Sequence, residues 1–380
     1  MSADSSRRRV VRLPVTAGIA AAALAVSAVA FAVATNLGAT HGTRTPGTPQ
    51  HPAGGQAGRK LQVRTAANAL AQAGADYHAY VAADTGVIAE ADTATGTIIG
   101  EFSADSPQGI AATPDGSQVF VAQTGQYSVI AINSTTGAST TIQVGPYPQD
   151  VAVAPDGSQV YATVTGSDTG PGGSDQVAVI STATDTVTGY ITVGTGPRQV
   201  VFSPDGSLAY VTTEQGIDVI GTAADTVIRV IADRETGGPQ DLAISPDGST
   251  LYVTNPVTGT LWVISTATDR VTARLPAGDE PYSVAVTPDG DTLYLTDLNS
   301  DTMLAIDTAT LKTVATIGVG GLPGVAAVTP DGTEVWVGNI LQGNVTVVDA
   351  VTNTVIATVS AGPITETVDA GPIGIAFVKA

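Results

Sequence analysis

Beyond residue 76 the chain alternates between short apolar bursts and polar turn clusters, at a spacing too tight for helices. Residues 239–280 show the unit. Leu242-Ala243-Ile244 is followed by Pro246-Asp247-Gly248, then by Leu251-Tyr252-Val253-Thr254, Leu261-Trp262-Val263-Ile264 and the alternating run Val271–Leu275. β-branched and aromatic runs of this length, bounded by turn residues, predict four antiparallel strands. Proline pre-sets φ for the first turn, Asp can bond its own backbone, and Gly takes the φ > 0 position.

The unit recurs. Pro-Asp-Gly stands at Pro114, Pro155, Pro204, Pro246, Pro288 and Pro330, in steps of 41, 49, 42, 42 and 42 residues. A period near 40–45 residues with four strands per unit predicts a β-propeller, because one such unit is too small to bury its own apolar face. One register of the second strand is always aromatic: Tyr80, Phe120, Tyr161, Tyr210, Tyr252, Tyr294 and Trp336. Large rings at one register suit the core between neighbouring sheets.

A proline also precedes each first strand, at Pro107, Pro148, Pro197, Pro239, Pro281, Pro323 and Pro372. The last of these strands has no second strand after it, and the strand at Tyr77–Ala83 has no first strand before it. Joined, the two complete one sheet and remove an exposed edge. The expectation is an all-β, seven-bladed propeller of four-stranded antiparallel blades over residues 76–380, closed by the C-terminal strand. A parallel β-solenoid fits poorly, since two tight turns per repeat imply hairpins.

Tyr252-Val253-Thr254-Asn255 resembles the signature of the YVTN family of β-propeller repeats, and Ser265-Thr266-Ala267-Thr268-Asp269 its usual turn between third and fourth strands. Weaker copies are Tyr210-Val211-Thr212-Thr213, Tyr294-Leu295-Thr296-Asp297 and Trp336-Val337-Gly338-Asn339. The resemblance implies a propeller at the bacterial surface or in the periplasm. It implies little about activity.

Charge divides the chain. Residues 1–75 carry a net +7 and residues 76–380 a net −26. A ring this acidic should repel nucleic acid and anionic membranes, so no nucleic-acid partner is expected. The absence of cysteine excludes disulfides and thiolate metal sites. Residues 1–12 form a basic, cytoplasmic stretch with Ser6-Arg7-Arg8-Arg9, which resembles a twin-arginine export signal. The uncharged stretch that follows predicts a hydrophobic helix over 13–34, either a membrane anchor or a cleaved signal with Ala28-Val29-Ala30 or Ala32-Val33-Ala34 as cleavage sites. Positive charge before the span places the ring outside the cytoplasm. Residues 35–75 read as a flexible linker.

The second-to-third and fourth-to-first loops share one face, which varies between repeats and carries both long insertions, Gly166–Asp175 and Ala361–Gly371. Function in repeat proteins tends to sit on such a face. The residues after each pre-strand proline should ring the channel mouth there. The polar candidates are Gln108, Gln149, Asp150, Arg198, Gln199, Gln240, Asp241, Tyr282 and Ser283; Gly109, Gly324-Val325 and Ile373-Gly374 make the rest small or apolar. Arg198, with Asp150 and Asp241 on either side, is expected either to pair with them or to hold a ligand carboxylate. A calcium site is the one cofactor considered, at Asp297-x-Asn299-x-Asp301, although Thr302 and Thr308 replace the Gly and Glu of a calcium loop. Asp168 and Asp175 form a weaker second candidate.

The streptogramin lyases and sugar lactonases of this fold work with channel histidines, glutamates or metal-binding acids. The repeats hold one histidine, His78, expected at an exposed strand end. No nucleophile–base set can be assembled, so no catalytic residue is assigned. The expectation is a monomeric, non-catalytic binding scaffold for a protein, a cell-wall glycan or a small ligand, touching the membrane only through its N-terminal segment. The alternatives are a metal-assisted lyase or hydrolase at the mouth, and a surface-layer structural module.

Overall fold

The computed structural model describes residues 77–166, 175–232, 238–361 and 371–380. The hydrophobic stretch 13–34 and the linker therefore lie outside the described residues, as do Asp168 and most of both insertions. Among the described residues no helix is long and apolar enough to cross a membrane.

The described chain forms seven four-stranded antiparallel sheets. Blade 1 is the composite one. Its inner strand, Pro372–Lys379, pairs with Tyr77–Ala83, from Tyr77 opposite Lys379 to Ala83 opposite Pro372. The inner strands of blades 2 to 7 are Pro107–Ala112, Pro148–Val153, Val200–Phe202, Leu242–Ile244, Pro281–Val286 and Pro323–Val328. Each touches the next in order, and the strand of blade 7 touches that of blade 1, so the ring closes.

The turn chemistry explains the hairpins. Gly116, Gly157, Gly206, Gly248, Gly290 and Gly332 all sit at φ between 71° and 81°, where a Cβ would be strained. The preceding Asp accepts the N–H two residues on, as Asp115 does from Ser117 at 3.0 Å and Asp247 from Ser249 at 3.0 Å. The outermost strands alternate exposed and half-buried residues, as in Arg270–Pro276.

All seven second-strand aromatics are buried and lie between blades. Tyr161 and Tyr294 also use their hydroxyls. Tyr161 donates to Asp225, and Tyr294 donates to Asn353 at 2.9 Å, each on the outer turn of the following blade. Asp225 and Asn353 hold the left-handed position of those turns, at φ 49° and 55°. One residue type thus fills the core and fastens adjacent blades at the same time.

Candidate functional site

Every inner strand begins irregularly. Its register against the second strand shifts just after the proline in blades 2, 3, 6 and 7, and at Ala82/Ala83 in blade 1. In blades 4 and 5 the regular ladder starts only at Val200 and Leu242. A bulge re-aims side chains. Here the two residues after the proline serve two different purposes.

The second residue after the proline reaches the next blade. Asp150 is buried, and its Oδ2 accepts the Val200 N–H of blade 4 at 3.0 Å. Asp241 accepts its neighbour Leu242 N–H at 2.7 Å and the Val284 N–H of blade 6 at 2.9 Å. Ser283 Oγ accepts the Ala326 N–H of blade 7 at 3.3 Å. A Cβ on Gly109 would collide with the Asp150 carboxylate, which shows how closely blades 2 and 3 approach. These three polar groups satisfy backbone donors that the bulge leaves unpaired.

Burial dominates their titration. It lifts Asp150 to about 8, against the Val200 and Val151 N–H groups that favour its charged form, with the nearby Asp241 charge adding to the rise. It lifts Asp241 to about 6, opposed by hydrogen bonds from Val284, Ser283 and Leu242.

Of the two expectations for Arg198, pairing with Asp150 and Asp241 does not occur. Both carboxylates are committed to backbone N–H groups, and the Arg198 guanidinium instead donates to the Gln240 side-chain oxygen. Among the described residues Arg198 forms no ion pair. Tyr282 lies close enough to feel its charge, which opposes the rise that burial imposes on the phenol. Arg198, Gln240 and Tyr282 are the first residues after their prolines in three consecutive blades. Gln108 and Gln149 hold the same place in blades 2 and 3, and Gln149 donates to the Tyr147 carbonyl at 3.1 Å.

A ring of threonines completes the polar half, and sequence reasoning missed it. Thr163, Thr212, Thr254 and Thr296 are buried, each two residues beyond the aromatic of its second strand. Their hydroxyls accept the N–H of Asp150, Gln199, Asp241 and Ser283 at 2.9–3.1 Å. Thr163 and Thr254 also donate onward to the Arg198 and Tyr282 carbonyls of the next blade, at 2.6 and 2.9 Å. A signal for them exists, since these are the Thr of Tyr-Val-Thr-Asn and its variants. The same position is Ala82, Ala122 and Gly338 in blades 1, 2 and 7. Blades 3 to 6 therefore make a polar arc, and blades 7, 1 and 2 a mostly small and apolar one.

The calcium candidate is engaged otherwise. Asp297 is buried and accepts the Asp279 and Glu280 N–H groups at 3.2 and 3.1 Å. Gln123, at the same register of blade 2, likewise accepts the Asp105 N–H. Asp301 accepts the Leu322 N–H at 3.1 Å, and Asn299 donates to Glu280 at 2.9 Å. Asp297 and Asn299 both hold the Asp279–Glu280 loop, and Asp301 turns to Leu322. Among the described residues no three His, Cys, Asp or Glu side chains are gathered in a way that could hold a metal ion. His78 is also not a free strand end: its Nδ1 lies 2.8 Å from Glu90 Oε1 on the adjacent strand.

A seven-bladed β-propeller with a half-polar mouth is the class these features define. Comparison with known proteins agrees on the fold. A family model described as "Lactonase, 7-bladed beta-propeller" matches residues 172–314. The hydrazine synthase of Kuenenia stuttgartiensis is similar in structure, with a TM-score of 0.63 and 24% identity over 70% of this chain and 89% of that one. A functionally unknown protein from Desulfotomaculum acetoxidans is also similar, with a TM-score of 0.66 and 17% identity over 80% of this chain and 99% of that one. At these identities the two structures speak to the fold alone. No curated protein matches the chain.

Proposed function

We propose that the chain is an extracytoplasmic binding propeller of the YVTN type, which takes its ligand on the variable loop face at the channel mouth. One observation carries this reading. Arg198 stands at the mouth without a carboxylate partner among the described residues, although the ring is strongly acidic. The ring's own nearest acids are turned to backbone donors, so the guanidinium keeps donors for a ligand acceptor, a carboxylate being the best geometric match. Gln240 and Tyr282 flank it. Residues 1–34, read as an anchor or export signal, support an address outside the cytoplasm.

The test is calorimetric titration with a panel of small mono- and dicarboxylates, including sugar acids, against the wild type and Arg198→Ala. The expected result is a binder in the panel whose affinity falls at least tenfold in the variant, with an unchanged melting temperature. Equal affinity for both proteins would remove Arg198 from the site.

A second reading, hydrolysis of a lactone-like ester at the mouth, is favoured by the family match over residues 172–314. It would need a carboxylate to act as base, and both Asp150 and Asp241 are already occupied. Turnover of simple lactones that is lost on chelation and restored by calcium would favour this reading over a pure binder.

A further inference from the structure

The loop face carries a second feature, on blade 2. Tyr127 and Tyr147 are both exposed, at 44% and 48%, and their rings meet edge to face with centroids 5.3 Å apart. Tyr127 lies in the loop between the second and third strands, and Tyr147 in the loop leading to blade 3. Both have left-handed backbones, at φ 56° and 48°. A bulky residue there is an outlier.

The other blades show that these positions do not need a tyrosine. The carbonyl of Tyr127 accepts the N–H of Val144, at the end of the fourth strand. The equivalent bonds in blades 1, 5 and 7 end on Gly86, Gly259 and Gly343, all glycines with positive φ, and the one in blade 6 ends on Asp301 at φ 55°. Tyr147 directly precedes Pro148. In blades 4 and 5 the residue before the proline is Gly196 and Gly238, at φ 62° and 64°, and ahead of Pro107 and Pro323 it is Ser106 and Leu322, at φ 49° and 53°. The left-handed backbone at both positions thus belongs to the repeat, which fills it elsewhere with Gly, Ser, Asp or Leu, and among the described residues aromatic rings stand there only at Tyr127 and Tyr147. Neither ring is buried, so core packing does not account for the cost. An exposed pair of rings on such backbones needs supporting structure. That structure is present: the Tyr127 carbonyl also lies 3.3 Å from the Gly145 N–H, and the Tyr147 carbonyl accepts from Thr165 N–H and from Gln149. Both backbones are anchored before any ligand arrives, and the rings rest on each other.

We infer that Tyr127 and Tyr147 form a preorganised aromatic platform for a neutral oligosaccharide. Three observations select that chemistry. No Lys or Arg occurs between Arg64 and Arg198, so blades 2 and 3 offer nothing to an anion. The rings pack against each other, which leaves no gap between them for a cation as an aromatic cage would require. Their surroundings supply neutral amides and hydroxyls, with Gln126 and Gln149 beside the two tyrosines and Asp105 packed against Gly125 of the Tyr127 loop. Apolar ring faces bordered by amide donors and a carboxylate acceptor match a pyranose, which presents C–H groups on its faces and hydroxyls at its rim. The inference rests on the reading that the loop face binds, yet it uses none of the residues around Arg198.

The test is calorimetry with cellotetraose, maltotetraose and tetra-N-acetylchitotetraose, with tetramethylammonium as the cationic control, on four proteins: wild type, Tyr127→Gly/Tyr147→Gly, Tyr127→Phe/Tyr147→Phe and Arg198→Ala. One of the sugars should bind the wild type and Arg198→Ala alike. Binding to the glycine variant should be at least tenfold weaker, and the phenylalanine variant should keep stacking with partial affinity. Because glycine relieves the backbone, the glycine variant should melt at the same temperature or higher. A lower melting temperature would make the pair a packing element and overturn the inference. So would a wild type that binds none of the sugars, or one that binds only tetramethylammonium. Loss of sugar binding in Arg198→Ala with retention in the glycine variant would move the sugar to the mouth, overturning the platform while upholding the binding reading.

Discussion

Deletion of Pro372–Ala380 is expected to leave a chain that no longer unfolds cooperatively. That segment is the inner strand of blade 1, paired along its length with Tyr77–Ala83. Ile375, Ala376 and Val378 are buried, and the Phe377 ring meets Trp336 of blade 7 edge to face at 5.8 Å. Burial of each larger apolar side chain contributes about 1.5–3 kcal/mol. The loss therefore approaches the whole stability of a typical domain, about 5–15 kcal/mol. It also uncovers the paired edge of Tyr77–Ala83 and removes the contact that joins blade 7 to blade 2 through blade 1, so aggregation should accompany it. Urea unfolding followed by circular dichroism would show a broad, low-amplitude transition in place of a single sharp one. A truncated protein with the wild-type midpoint and slope would mean that closure does not hold the ring together.

Stability should fall as pH rises from about 5 to about 8, contrary to the usual behaviour of a carboxylate-rich protein. The sign follows from the buried acids. Asp150, Asp241 and Glu334 have folded-state values raised to about 8, 6 and 7, each chiefly by burial. Unfolded, they would titrate near 4. Between those limits the folded chain holds more protons than the unfolded one, so the unfolding free energy declines with pH. The combined decline should be on the order of a few kcal/mol, since each tenfold difference in proton affinity between the two states is worth about 1.4 kcal/mol and the folded ring relaxes around the charges. The opposite limb lies lower. Asp115 and Asp247 are held near 2 by the turn hydroxyls and N–H groups, so their contribution is present above pH 4 and fades as pH drops toward 2. The stability maximum is expected near pH 4–5. Urea midpoints across this range check it, and Asp150→Asn, which keeps an acceptor for Val200 without a charge, should flatten the alkaline side. A midpoint that rises steadily from pH 5 to 8 would show these acids to be ionised in the folded ring.

The fold was legible in the sequence because its determinants are local and repeated. The Pro-Asp-Gly turns, the aromatic register and the prolines ahead of each inner strand each impose one conformation, and six copies of the first and seven of the other two leave little freedom. Closure was legible too, since an unpaired final strand and an unpaired opening strand are complementary faults. The site was only half legible. The residues after each proline do stand at the starts of the inner strands, with the polar types concentrated in blades 3 to 6. Their individual roles depend on a bulge whose geometry no residue announces. Position one turns Arg198 toward Gln240, and position two sends Asp150 and Asp241 into the next blade. Of the two roles expected of Arg198, pairing gave way to two backbone clamps and, among the described residues, an Arg without an acid. Asp297, Asn299 and Asp301 have the spacing of ligands, but Asp297 falls at the register where Gln123 also anchors a loop. The tyrosine pair was invisible, because two residues 20 positions apart meet only when their loops fold together.

The proposed function divides labour at the mouth, with one set of polar groups fastening blades and another left to face a ligand. Thermal unfolding of Asp241→Ala and Arg198→Ala, side by side at pH 5 where Asp241 carries little charge, tests this division most directly. Removing the Asp241 acceptor leaves the Leu242 and Val284 N–H groups unpaired, at about 1–3 kcal/mol for each buried donor left unsatisfied, so that variant should melt several degrees lower. The Arg198 variant should melt with the wild type. Equal melting of all three proteins, or a greater loss from Arg198→Ala, would contradict the assignment of fasteners and ligand-facing groups.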